Sequence, residues 1–173
     1  MPSQAVEVRI ERAAEIAEEL RAELERWTDE VFGQIAYQWA PSQWYATARI
    51  DGNLVGSLTL VAREAAAAAE RVRVGGVGNV VTKPAYRRRG VALAMMRAAE
   101  GVMRARLDAE FGLLICRRAV APVYEKAGWV RVAGPTRFWQ PAGITTYPEE
   151  TMILQLTARE WPGGSIDLCG LPW

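Results

Sequence analysis

The sequence contains no histidine. That one absence excludes Ser-His-Asp triads, imidazole general bases and most zinc sites, so no metal is expected. Cysteine is scarce as well. Cys116 and Cys169 lie far apart and form no C-x-x-C pair, which points to a reducing compartment. Cys116 closes an apolar run and reads as a small core hydrophobe. No apolar stretch approaches the ~20 residues needed to cross a bilayer. The start of the chain is acidic and lacks the apolar segment of a secretion signal. A soluble, cytoplasmic protein with no membrane partner is therefore expected.

Net charge is only +1, yet it is unevenly spread: residues 1–30 carry nine acids against four arginines, and residues 71–131 carry thirteen bases against four acids. One positive region on a near-neutral chain suits a small anionic ligand better than nucleic acid, which usually demands a strongly basic domain. With 173 residues, half of them hydrophobic, the chain can bury one good core, and residues 1–173 are expected to form a single domain.

Taken in order, residues 5–10 alternate Val6, Val8 and Ile10 with Glu7 and Arg9, a first strand. Over residues 13–27 the period changes: Ile16, Leu20, Leu24, Trp27 and Val31 form one helical stripe. Residues 32–44 hold Phe32, Tyr37, Trp39 and Trp44 around a Pro41-Ser42 break, and a short second helix with a loop is expected there. Residues 45–50 and 54–62 read as strands joined by a tight Asp51-Gly52-Asn53 turn. Residues 65–69 are an alanine-rich run, either a helical turn or a hairpin tip. A strand over 71–82 is followed by a helix over 87–107 with Ala92, Met95, Met96, Ala99 and Met103 inward, then a buried strand over 111–116. A short helix over 119–127 and strands over 129–133 and 151–157 complete the reading, with residues 163–173 as a turn-rich tail. An antiparallel set followed by strand–helix–strand–helix argues for a mixed α/β domain.

Residues 77–92, VGNVVTKPAYRRRGVA, are the most informative stretch. β-branched Val77, Val80 and Val81 make a strand that Gly78-Asn79 interrupts as a bulge would. Pro84 ends it, and three arginines and a glycine then open a helix. Free N–H groups at a helix N-terminus beside positive side chains form an anion site. No Gly-Lys-Ser/Thr follows, so this is not a Walker loop; nor does Gly76-x-Gly78 complete a dinucleotide fingerprint. On the residues alone, a phosphate cradle, a solvated basic face and a nucleic-acid patch all stay open.

The order Arg87-x-x-Gly90-x-Ala92 after a strand, with Tyr124-Glu125-Lys126-Ala127-Gly128-Trp129 downstream, resembles the GCN5-related N-acetyltransferase (GNAT) family. The first piece is similar to that family's Q/R-x-x-G-x-G/A signature and the second to its Y-x-K-x-G-F/W segment, and the likeness covers roughly residues 46–132. Within the family the chain looks most like aminoglycoside 2′-N-acetyltransferases, through Gly134-Pro135-Thr136 and the tail with Cys169 and Trp173.

The resemblance implies a GNAT-like α/β fold: a mostly antiparallel mixed sheet with about four helices. A parallel pair, 77–82 and 111–116, would splay to admit acetyl-CoA as cosubstrate. Its pantetheine would pair with Val80, Val81 and Thr82, and its pyrophosphate would sit on the amides of Arg88, Arg89, Gly90, Val91 and Ala92. Arg87, Arg88, Arg89 and Lys126 would supply charge. The resemblance assigns proton donation to the leaving thiolate to Tyr124, and the Val80 N–H is the candidate for stabilising the oxyanion. Trp39, Trp44, Asn79, Asp167 and Trp173 are candidates for holding a small-molecule amine acceptor. Where aminoglycoside enzymes of this group have a glutamate on the bulged strand, this chain has Gly78. Proton removal would fall to water, Asn79, Glu149, Glu150, Asp167 or the terminal carboxylate of Trp173. Few acids (Asp29, Glu30, Glu149, Glu150 and Asp167) are in sight to hold a polycationic acceptor. The expected activity is acetyl transfer to a primary amine by direct attack in a ternary complex. Acetylation of a peptide N-terminus and silent acyl-CoA sensing are the rivals, nucleic-acid binding is a distant further reading, and a homodimer is left open.

Overall fold

A computed structural model describes residues 5–33 and 36–173. One ten-stranded sheet forms its centre, in the order β6-β9-β5-β4-β3-β10-β7-β8, with β2 on β3 and β1 on β2. The strands are β1 (Glu7–Arg12), β2 (Trp44–Ile50), β3 (Asn53–Ala67), β4 (Glu70–Thr82), β5 (Phe111–Cys116), β6 (Val130–Val132), β7 (Thr136–Gln140), β8 (Gly143–Thr146), β9 (Glu150–Gln155) and β10 (Ile166–Asp167). Two pairs are parallel, β4–β5 and β10–β7. Three α-helices accompany them: α1 (Glu18–Phe32), α2 (Val91–Arg106) and α3 (Ala121–Glu125).

Each helix covers the sheet with the face its sequence marks. On α2, Val91, Met95, Met96, Ala99 and Met103 are buried, the expected methionine stripe. They lie so close to the strands that a Cβ on Gly75 would overlap Met103, and one on Gly56 would stand 2.8 Å from Val91. Leu24 and Trp27 of α1 are buried with Tyr45, Leu54 and Val81 in a separate cluster. Tyr124 of α3 joins the main cluster beneath α2, together with Trp129, Cys116 and Met152.

Several expectations are corrected. The first helix begins at Glu18 rather than near residue 13, because Ala17 is extended and supplies no side-chain cap; the apolar stripe is unchanged. Residues 36–43 form no helix. Gln140 holds the segment instead, accepting from Gln38 N at 2.8 Å and donating to Gln38 O at 2.9 Å, and Ala40 N donates to Pro172 O at 2.7 Å. Gln34 and Ile35, also within that expected helix, lie outside the described residues. Among the described residues there are thus three α-helices, not four, plus single 3₁₀ turns at Pro84–Tyr86 and Arg118–Val120. The alanine run extends β3 to Ala67, and Ala68 and Ala69 turn the hairpin at φ 47° and 65°. The helix expected from residue 87 starts at Val91, since Arg88 (φ 62°) and Gly90 (φ 77°) bend the preceding turn.

Phe111, with no exposed surface, stacks edge-on against Trp161 with ring centroids 5.0 Å apart. Phe111→Ala is expected to cost about 3–5 kcal/mol, read as a lowered midpoint in urea unfolding.

Candidate functional site

The β4–β5 ladder joins Val74↔Phe111, Gly75↔Gly112 and Gly76↔Leu113, and then stops. Beyond it β4 runs on to Thr82 and β5 to Cys116 with no further pairing between them. The strands part where the sequence places a bulge. Thr59 faces Gly78 and Ser57 faces Val81, so one residue of β3 opposes two of β4. Asn79 adopts φ 51°, its side chain donates to Thr59 Oγ1 at 3.2 Å, and neither Asn79 nor Val80 has a β3 partner in the register. A bulge of this kind frees backbone amides and re-aims the strand.

At the far end of β4, the turn after Pro84–Tyr86 brings Arg87, Arg88 and Arg89, all exposed, to the mouth of α2. Gly90 is the N-cap in the left-handed region, and no side chain caps the helix. The first helical bond is Ala94 N to Gly90 O at 2.9 Å, which leaves the Val91, Ala92 and Leu93 N–H groups without intrahelical acceptors. Arg87 Nε donates to Thr82 O at 3.3 Å, and the Arg89 guanidinium lies 5.3 Å from the Tyr86 ring centroid. The free amides, the helix dipole and the nearby cations are the elements of a candidate anion seat. Beside it, Trp27, Val31, Val81, Lys83 and Arg87 line a cleft of about 450 Å³, with Lys83 Nζ 4.5 Å from the Trp27 ring.

Tyr124, 9% exposed, packs in the cluster that Val80 also touches. Burial, then the neighbouring Cys116 and Tyr147, push its phenol well above the ordinary range, so it is protonated at neutral pH. Burial likewise raises the Cys116 thiol and the Tyr147 phenol, each to about 12. Lys126, at the end of α3, is exposed.

The acceptor candidates are scattered. Trp39 rests edge-on against Tyr37 at 5.9 Å, whereas Trp44 opens β2 and packs on the cluster beneath α2. Asp167 accepts from Cys169 N at 2.8 Å and pairs with Ala66, seven residues along β3 from Thr59. That is roughly 23 Å at a strand rise of about 3.3 Å per residue, so Asp167 is not brought to the bulge. Glu149 accepts from Arg118 N, and Glu150 bridges to Arg118 and Arg131.

Trp173 does reach the bulged strand. Its indole lies against Gly76, where a Cβ would collide with the ring, and its main-chain carbonyl carbon stands 2.9 Å from the Cβ position of Gly78. The sequence signal for this contact was the Gly76-x-Gly78 spacing, which pattern reading weighed only as an incomplete dinucleotide fingerprint, with Gly78-Asn79 read as the bulge.

All three raised groups are neutral in the fold and ionise more readily in the unfolded chain. Their contribution to stability is therefore complete below about pH 9 and is lost as pH climbs through 9–12. Urea midpoints at pH 7, 9 and 10.5 are expected to fall across the last interval, and Tyr147→Phe with Cys116→Ala should flatten that fall.

The acetyltransferase (GNAT) domain profile matches residues 14–132. An aminoglycoside 2′-N-acetyltransferase of Mycolicibacterium fortuitum is 31% identical over 113 residues, 65% of this chain. That match spans 57% of the relative, just over half its length. In fold the chain is similar to an acyl-CoA N-acyltransferase from Pseudomonas aeruginosa (TM-score 0.59, 20% identity, 86% of this chain and 99% of that one). It is also similar to the GNAT family N-acetyltransferase YhbS from Escherichia coli, solved in complex with CoA (TM-score 0.61, 13% identity, 98% and 92%). With the domain profile running from α1 through the parted strands to β6, this chain belongs to the GNAT family of acyltransferases.

Proposed function

We propose that the chain, acting as one domain, transfers the acetyl group of acetyl-CoA to a primary amine of a small molecule by direct attack in a ternary complex. The observation that carries this reading is the gap beyond Gly76↔Leu113, which opens onto the anion seat at the mouth of α2. A pantetheine arm has the backbone of Val80, Val81 and Thr82 to pair with, and a pyrophosphate has the Val91 and Ala92 amides with Arg87, Arg88 and Arg89 around them.

Aminolysis of a thioester gains chiefly from placement of the two reactants. The Val80 N–H, at the bulge where β4 leaves its register with β3, is the donor for charge developing on the carbonyl oxygen. The protonated Tyr124 phenol then delivers its proton to the departing thiolate. The resemblance implies that residues 36–43 roof the acceptor side, and their pinning by Gln140 and Pro172 favours a compact amine over a peptide in an open groove. Glu150 is ion-paired with arginines, Glu149 accepts from the Arg118 main-chain N–H and Asp167 is remote, which favours an amine with few positive charges over a polycation. With Gly78 offering no carboxylate, the ammonium proton leaves to water or to the terminal carboxyl group of Trp173, whose carbon stands beside Gly78.

Thiol release from acetyl-CoA across a panel of aminoglycosides, polyamines, amino acids and short peptides tests the assignment. Turnover with small amines supports it, turnover with peptides alone would replace the acceptor class, and CoA binding without turnover would make the chain a sensor. Tyr124→Phe is expected to lower kcat ~10²–10³-fold with the Kd for acetyl-CoA nearly unchanged. The logarithm of kcat/KM should rise with pH and level off at the pKa of whichever amine is used. A plateau that stays fixed when the amine is changed would instead reveal a base on the protein.

A further inference from the structure

We propose that Trp173 sets the length of the acyl chain the site accepts, closing the gap to chains longer than about four carbons. This rests on the reading that the thioester lies along Val80–Thr82.

The indole stands at the closed end of the gap and bridges both strands. Its ring covers Gly76 on β4, while its Nε1 donates to Leu113 O on β5 at 3.4 Å. Those two residues are the last rung before the strands part. The Trp173 main chain extends the wall to Gly78, with its carbonyl carbon and oxygen 2.9 and 3.1 Å from the Cβ position there.

The wall is clamped. Arg63 lies 5.3 Å from the Trp173 ring centroid and donates to Leu168 O at 2.8 Å and Leu171 O at 2.6 Å. Ala40 N holds Pro172 O from the other side, and Trp173 is only 6% exposed. On the opposite face of the sheet, Val77 and Leu114 are each 2% exposed and leave no room to turn aside.

With the carbonyl on the Val80 amide, Gly78 is two residues away, roughly 7 Å along a strand. An acetyl methyl stops short of that point. A chain of six carbons runs into the Trp173 main chain and then its ring. The glycines at 76 and 78 are what let the wall stand so near, since any side chain there would displace it.

The test compares acetyl-, propionyl-, butyryl- and hexanoyl-CoA with one fixed amine, in wild type, Trp173→Ala and Trp173→Val. Thiol release gives kcat/KM, and calorimetry gives the Kd of each thioester without needing turnover. For wild type, kcat/KM should fall at least about tenfold between acetyl- and hexanoyl-CoA, and hexanoyl-CoA should bind correspondingly worse. Trp173→Ala should raise the hexanoyl-to-acetyl ratio by about tenfold or more in both readouts. Trp173→Val keeps an apolar side chain at the clamp and should give an intermediate rise, so the proposal is still decided if the alanine variant does not fold. A wild type that uses hexanoyl-CoA as well as acetyl-CoA overturns the proposal. So do variants with an unchanged donor ratio and an altered KM for the amine alone, which would make Trp173 an acceptor wall. In either of those cases acetyl-CoA is still bound and turned over, so the acyltransferase reading stands. Failure of every thioester to bind would overturn both.

Discussion

Everything in this site follows from the ladder between β4 and β5 ending at Gly76↔Leu113. A sheet normally satisfies its backbone groups to the end of its strands, because an orphaned buried amide costs about 1–3 kcal/mol. Here the strands separate while both continue, so the groups facing the gap need water or a ligand. Two features hold the strands apart. The bulge at Asn79-Val80 turns β4 away without breaking its pairing to β3 on either side. On the faces of the sheet, Val77 and Leu114 anchor one side in the core beneath α2, and Trp173 packs across the other.

The anion seat depends on that same packing. The N-terminus of α2 points where it does because Met95 and Met103 press onto Gly56 and Gly75, leaving no latitude for the helix to slide. The arginines before it add charge but little rigidity: Arg87 and Arg89 are tied to Thr82 O and the Tyr86 ring, and all three are exposed. Backbone amides on a fixed helix give position, and mobile cations give attraction. The division also explains how a chain of net charge +1 presents a strongly positive mouth.

Much of this was legible in the residues. The bulge, the helix mouth after Pro84 and the methionine stripe rest on local chemistry, and local chemistry is what a sequence displays. Tyr124 and the Arg87-x-x-Gly90-x-Ala92 run were found through resemblance, which carries long-range information that periodicity does not. What escaped notice depends on partners distant in the chain. The β7–β8 hairpin has one exposed face, with Trp139 and Ile144 outward, so no clean alternation marks it. Residues 36–43 looked helical in composition but are held by Gln140, 102 residues away in the chain. The seating of Trp173 on Gly76 and Gly78 could not be read from either segment by itself.

That last contact bears on why position 78 carries no glutamate. A side chain there would start 2.9 Å from the Trp173 carbonyl carbon and 3.3 Å from Thr59 Oγ1, so the strand can hold a residue with a side chain or the tail, but not both. Gly78 is thus coupled to the packing of the tail: once Trp173 closes the gap and is clamped by Arg63, glycine is the residue that fits. A carboxylate lost in this way does not imply a dead site, because aminolysis needs placement first and the buried Tyr124 phenol is still held in its acid form. In the proposed mechanism the exchange leaves the amine's proton to water or to the Trp173 carboxyl group that now stands beside position 78.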